Sequence, residues 1–201
     1  MARGPVDLSR RCARCFFPPE ACLCPDVRRV ETRTRFLVLR HASELNRPTN
    51  SGRWAALALS GLRLVDYAVP GAEPDLAALG EPGTVVLFPS PHPAPLAPPP
   101  RQVVVLDATW TQARRMIQRV PALRTLPRLA VPEHLLARRG DPIRRSRVAG
   151  GVCTLEAMAG ALHLLGEGEA ARALGALHAA ALERSWRLRR GSPATHVPRC
   201  A

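Results

Sequence analysis

The chain has 201 residues, 46% of them apolar and 22% charged, enough to bury a sizeable core as one domain with an appendage. No stretch approaches the roughly 20 apolar residues of a membrane span, and the start Met1-Ala2-Arg3-Gly4-Pro5 lacks the apolar core of a secretory signal, so a soluble cytoplasmic protein with no membrane partner is expected. The formal net charge is +13 and every one of the 29 basic residues is Arg, whose planar fork suits bidentate phosphate contacts and stacking on bases. A polyanionic partner is the natural inference, against the plainer reading that the charge serves solubility.

In chain order, a cysteine-rich head over about residues 10–27 precedes a buried strand at Arg33 to Arg40, which runs into a polar segment from His41 to Gly52. The pattern predicts a helix from Trp54 to Leu62, strands at Arg63 to Val69 and Thr84 to Phe88, and a proline-rich surface connection from His92 to Pro100. The strand Val103 to Leu106 follows, then an Arg-rich helix from about Thr111 to Arg119, a short strand near Arg128 to Val131 and a basic loop from Arg138 to Gly151. The last third reads as two Ala/Leu-rich helices, Thr154 to Leu165 and Glu169 to Leu188, broken at Gly166 to Gly168. Strands alternating with helices predict an α/β fold, a largely parallel sheet with flanking helices.

Cys12, Cys15, Cys22 and Cys24 fall within thirteen positions, in a segment with too little apolar surface to fold alone. Two close thiol pairs match a tetrahedral zinc site. Disulfides and free thiols are the alternatives, disfavoured by a cytosolic setting for the former. With all four positions filled by protein, such a zinc would be structural.

Five segments carry candidate chemistry, each where a strand ends or a helix begins. Val103-Val104-Val105-Leu106-Asp107-Ala108-Thr109-Trp110 is the most informative, since a buried apolar strand ends in a carboxylate, a hydroxyl and an indole, where open α/β sheets bind ligands. An Asp/Thr helix cap with a core Trp is the structural alternative. The polar run His41 to Arg53 is too dense for capping by Asn50 or Ser51 to explain. Phe88-Pro89-Ser90 is a strand exit or a plain turn, and Ile143-Arg144-Arg145-Ser146-Arg147 a phosphate clamp or a solvated charge run. Gly150-Gly151-Val152-Cys153-Thr154-Leu155-Glu156-Ala157 opens a helix whose free amides favour an anion, or simply caps it through Thr154.

Taken together, the Cys-rich head, the His-x-x-Glu segment with Asn50-Ser51-Gly52, the Phe-Pro exit, the Asp-x-Thr-Trp-x-Gln-Ala-Arg run and the Thr-x-Glu-Ala helix start resemble the DTW-domain family, the tRNA-uridine aminocarboxypropyltransferases, over most of the chain. The resemblance implies a fold related to SPOUT-type methyltransferases with a knotted cofactor site, a zinc-binding head over residues 1–30 and a catalytic domain over 31–201. It implies S-adenosylmethionine as donor and transfer of its 3-amino-3-carboxypropyl group to N3 of a tRNA uridine, with methylthioadenosine released. The sequence departs from the family at Cys153, where Ser is frequent.

On that reading a base must accept the N3 proton. Asp107 is the first choice, helped by desolvation against Trp110; Glu44 and Glu156 are the alternatives. Thr109 and Trp110 join the catalytic set, Trp110 as a surface on which an extruded uridine stacks. Phe88, Pro89 and Ser90 would line the adenosine, and Gly151, Cys153, Thr154 and Glu156 the donor's amino-acid end. His41, Asn50, Arg53, Arg114, Arg115, Arg119, Arg144, Arg145 and Arg147 would face RNA. The competing readings are a SPOUT-like RNA methyltransferase, the same transfer to ribosomal RNA, and a non-catalytic zinc-stapled RNA-binding protein.

Overall fold

A computed structural model describes residues 7–136 and 151–190. Five strands form one sheet: β1 (Arg35–His41), β2 (Arg63–Tyr67), β3 (Thr84–Leu87), β4 (Gln102–Asp107) and β5 (Arg128–Leu129). They lie in the order β2-β1-β4-β3-β5 and every pairing is parallel, with Val38 opposite Val105 across the central pair. The helices are α1 (Ser51–Ala58), α2 (Trp110–Arg119), α3 (Pro121–Thr125), α4 (Thr154–Leu164) and α5 (Gly168–Arg190). The α/β reading with a largely parallel, helix-flanked sheet is therefore met, and the sheet is parallel throughout.

The central strands are apolar at nearly every position because both faces are covered. Phe36, Val38, Val103 and Val105 point to one face, where they pack with Trp54 of α1, Leu155 and Met158 of α4 and Leu174 and Leu177 of α5. Their neighbours Leu37, Leu39 and Val104 point to the other, against Met116 and Val120 at the α2 end and Leu123 of α3. Cys15, Phe17, Cys22 and Leu23 of the head are buried in the first of these cores, and Trp54 donates its indole N–H to the Cys15 carbonyl at 3.0 Å.

The predicted boundaries moved for identifiable reasons. The first helix spans Ser51–Ala58 rather than Trp54 to Leu62: Asn50 caps it early by accepting the Arg53 N–H at 2.7 Å. Leu59 leaves it to form a parallel bridge with Val30, and Gly61 then turns at φ +77°. The strand expected to run to Val131 stops at Leu129, and a 3-10 turn at Glu133–Leu135 follows. The break between the last helices is as expected, with Gly166 at φ +72°. The basic loop, with Arg144, Arg145 and Arg147, falls in residues 137–150, outside the described residues.

The chain leaves the C-terminal end of β1 toward β2 on one side and leaves β4 toward β5 on the other. That reversal opens a crevice between the two strand ends, the place where open α/β sheets bind ligands.

Candidate functional site

The sequence after β1 and the sequence after β4 meet in this crevice. Asp107, the last residue of β4, is 3% exposed and accepts two side-chain hydrogen bonds. The Asn50 amide donates to Oδ2 at 2.5 Å and the Thr154 hydroxyl to Oδ1 at 2.7 Å. One carboxylate thus ties together the segment before α1, the end of β4 and the start of α4. Gly52 belongs to the same joint: a Cβ there would lie 2.7 Å from Asp107 Oδ2, so only glycine leaves room for the carboxylate.

Burial raises the Asp107 pKa above the ordinary carboxylate value. The Asn50 and Thr154 donors oppose that rise, the nearby Glu44 charge adds to it, and Arg40 lowers it. Glu44 is itself 2% exposed, with Arg47 Nε at 3.3 Å from its carboxylate. The site therefore holds two buried carboxylates whose environments differ, an arrangement suited to proton transfer. Trp110 packs on Phe88, with ring centroids 5.6 Å apart.

Beside the joint lies a cavity of about 190 Å³, walled by Leu87, Phe88, Pro89, Trp110, Cys153 and Thr154 among others. Its lining is apolar except at the α4 start, where Thr154 links it to Asp107. Asp107 does not line the cavity; it is reached through that hydroxyl.

Of the residues expected at a cofactor site, Phe88, Pro89, Cys153 and Thr154 are brought to the cavity. Ser90, Gly151 and Glu156 are not among its walls. Ser90 makes a turn, its Oγ accepting the His92 N–H at 3.1 Å, and Glu156 accepts the Cys153 N–H at 2.8 Å within the α4 cap. Thr109 caps α2 with Gln112 in a reciprocal capping box. His41 caps the following 3-10 turn by accepting the Ser43 N–H at 3.1 Å. Asn50 is buried in the joint, and Arg53 donates to the Leu45 carbonyl at 2.7 Å while lying 3.6 Å over the Phe16 ring. Arg114, Arg115 and Arg119 are exposed on α2.

Two side chains at the site were given no role of their own in the sequence reading. Gln112 donates to Ser43 Oγ at 3.0 Å, joining α2 to the turn after β1; its signal was the Thr-x-x-Gln capping pattern. His178 of α5 lies with Nε2 3.6 Å from Cys153 Sγ and Nδ1 3.8 Å from Glu156. A histidine in an Ala/Leu-rich helix gave the only hint. Burial, with the Glu156 charge, pushes the Cys153 thiol up to about 12, so it faces the imidazole as a neutral thiol.

The head gathers its four cysteines into one cluster. Their sulfurs lie within 4.8 Å of one another, with Cys12 and Cys24 at 3.7 Å and Cys15 and Cys22 also at 3.7 Å. Tetrahedral zinc–thiolate bonds of about 2.3 Å would set sulfurs about 3.8 Å apart, so the donor set and its spacing fit a structural metal. Local folding orients the sulfurs. Phe16, at φ +62°, turns the chain so that its N–H reaches the Cys12 carbonyl at 2.9 Å, and the Leu23 N–H donates to Cys15 Sγ at 3.4 Å. Burial and the adjacent Cys15 push Cys24 up to about 12. On Cys12 the effect of burial is outweighed by N–H donors from Cys15 and Arg14, which lower it.

No helix among the described residues is long and apolar enough to cross a membrane. No solved structure matches the chain. The DTW domain matches residues 9–185, from the head to the last turns of α5. The head, the Asn50–Asp107–Thr154 joint and the cavity all lie within that span, and the chain belongs to the DTW-domain family, consistent with an enzyme that modifies tRNA.

Proposed function

We propose that the protein transfers the 3-amino-3-carboxypropyl group of S-adenosylmethionine to N3 of a uridine in tRNA. The observation that carries the reading is the joint at Asp107, which unites three of the family's motif segments beside an apolar cavity at the strand-order reversal. Phe88, Pro89 and Trp110 offer flat apolar walls for the adenosine, and Cys153 and Thr154 at the start of α4 line the end that would take the donor's amino-acid part, with Gly151 and Glu156 supporting that turn. A knotted chain around the cavity belongs to the same reading.

In the reaction, N3 attacks the methylene carbon next to sulfur, the C–S bond breaks, and sulfur leaves with the electron pair as methylthioadenosine. The N3 proton passes to the Thr154 hydroxyl as that hydroxyl gives its own proton to Asp107, whose raised pKa suits it to accept. Glu44 and Glu156 are the other carboxylates within the joint and the α4 cap. Choice of the methylene over the methyl rests on alignment: the cavity must present that carbon in line with N3. Thr109 and Gln112 fix the start of α2 and so the Trp110 ring, on which an extruded uridine can stack. His41, Arg114, Arg115 and Arg119, with Arg144, Arg145 and Arg147, supply phosphate contacts, while Asn50 and Arg53 act through the joint and the segment before α1. The four cysteines hold structural zinc.

The test is incubation with unmodified tRNA and S-adenosylmethionine labelled on the carboxyl carbon. Label in a uridine, together with released methylthioadenosine, is the expected result. A methylated nucleoside without label would make the protein a methyltransferase. Label in ribosomal RNA alone would move the substrate, and no product from any RNA would leave a zinc-stapled RNA-binding protein.

A further inference from the structure

α4 and α5 pack antiparallel, yet α5 has 23 residues and α4 only 11. α5 starts at the bottom of the sheet, where Glu169 pairs with Arg28 at 2.6 Å and the neighbouring Glu167 accepts the Arg33 and Thr34 N–H groups just before β1. It reaches the level of the cavity at His178, beside Cys153 and Glu156 at the first turn of α4. At about 1.5 Å per residue, the segment from His178 to Arg190 then extends about 18 Å farther, on the side of the sheet where the cavity opens.

That overhang changes character as it goes. Ala181 and Leu182 are still buried, and Arg184 pairs with Asp26 of the head. From Arg187 onward every residue is exposed, in the run Arg187-Leu188-Arg189-Arg190. Arg187 pairs with Glu183, whereas Arg189 and Arg190 meet no carboxylate among the described residues. Both guanidiniums lie over the Trp186 ring, at 5.7 and 5.0 Å from its centre, so the indole holds them in place. Residues 191–201 contain no Asp or Glu that could neutralise them. Arg187, Arg189 and Arg190 lie in the last turn of α5, where they complement the helix dipole, but that role needs no aromatic platform.

We infer that this end of α5, with Trp186, Arg189 and Arg190 at its centre, is a docking surface for RNA phosphates, engaging a part of the RNA remote from the reacting base. Five residues of this surface, Trp186 to Arg190, lie beyond the matched domain. The inference rests on the tRNA reading above and gives it a second point of contact. Because the surface is preorganised and remote from the cavity, it selects for a long folded RNA over a short strand.

The experiment measures binding alone, so it stands apart from whether transfer occurs. R189A/R190A and wild type are titrated with a full-length unmodified tRNA transcript, with a six-nucleotide oligouridine and with vesicles containing phosphatidylserine, over a range of salt, with thermal melting as a folding control. R189K/R190K serves as the second variant, since it keeps the charge. The expected result is about tenfold weaker tRNA binding for the alanine variant. Its plot of log affinity against log salt should be shallower by nearly two, with oligouridine binding little changed and most affinity restored by lysine. Unchanged tRNA affinity and salt slope in a variant that melts like wild type would overturn the inference. So would equal loss for both RNAs, or a loss confined to vesicles containing phosphatidylserine, which would assign the surface to a membrane. Absence of aminocarboxypropyl transfer by wild type, with the binding difference intact, would instead count against the reaction alone.

Discussion

Two polar clusters hold this chain together, and they do so on opposite principles. The Asp107 joint is complementary within itself: a carboxylate receives an amide and a hydroxyl, and no outside species is needed. The head gathers four cysteine sulfurs of one kind within 4.8 Å, like ligands that cannot complement one another as the amide and hydroxyl complement Asp107. A buried cluster of like ligands is stable only with a cation, whereas a donor–acceptor cluster is stable as it stands. The head is therefore the part of the molecule whose folding is expected to depend on a bound metal, and the joint the part expected to need none.

The sharpest way to break this comparison is to deprive the head of metal. Structural zinc is worth about 10–16 kcal/mol of apparent binding in small fingers at neutral pH, so Cys22→Ser, or chelator under reducing conditions, is expected to unfold the head. Because Cys15, Phe17 and Leu23 share a core with Trp54, the loss should spread to α1 and α5 and register as a large drop in melting temperature and a red-shifted tryptophan emission. Metal analysis of the purified protein finding none, with melting indifferent to chelator, would show that the two clusters do not differ in this way.

The joint responds to a change of charge at constant shape. Asp107→Asn is expected to lower kcat by roughly 10²–10⁴, the range for loss of a general base, with tRNA affinity retained. Its pH behaviour has a definite sign. A carboxyl raised by burial contributes stability that is complete below its unfolded value of about 3.9 and is lost as pH rises through the higher folded value. Relative to wild type, Asp107→Asn should therefore gain stability with rising pH, while wild-type turnover falls as pH drops through the same raised value. Melting curves in which the two proteins keep a constant difference from acid to neutral pH would mean that Asp107 is not desolvated.

Gly52→Ala tests the joint by volume instead. The added methyl, 2.7 Å from Asp107 Oδ2, must push the carboxylate off Asn50 or shift α1; overpacking of this kind costs about 1–3 kcal/mol. Asn50→Ala leaves Oδ2 and the Arg53 N–H unmatched and is expected to cost about 2 kcal/mol. If both variants melted and turned over like wild type, the close approach of the three segments at Asp107 would be wrong.

How much of this was visible beforehand differs between the two clusters in the same way. The head was legible because its ligands lie close in sequence and belong to one residue type, so spacing alone suggested a shared metal. The parallel sheet was legible too, since doubly covered strands such as Val103 to Leu106 are apolar at successive positions. The joint was only half legible. Asp107, Asn50 and Thr154 each stood out, but as separate base, RNA contact and cofactor contact, because their partnership spans 57 and 47 residues and depends on strand order, which periodicity does not encode. His178 was missed for the same reason: its meaning comes from Cys153 and Glu156, on another helix. Helix ends such as Leu59 shifted because a tertiary bridge to Val30 outcompeted helical propensity.

The smallest effect is expected at Cys153, and it separates a thiol that merely fills space from one that acts. Burial holds this thiol near 12, so at pH 8 about one molecule in ten thousand carries the thiolate; the sulfur serves His178 as a neutral neighbour at 3.6 Å. Cys153→Ser keeps a hydrogen-bonding group of similar size facing the imidazole, and should leave melting within about 1 kcal/mol equivalent and turnover within a few-fold. In the folded wild type, iodoacetamide should modify Cys153 only after denaturation. Rapid labelling of the native protein at neutral pH, or loss of turnover in the serine variant with melting unchanged, would give the sulfur a chemical role at the cavity wall. That result would also weaken the contrast between the two clusters, since the joint would then depend on a soft ligand as the head does.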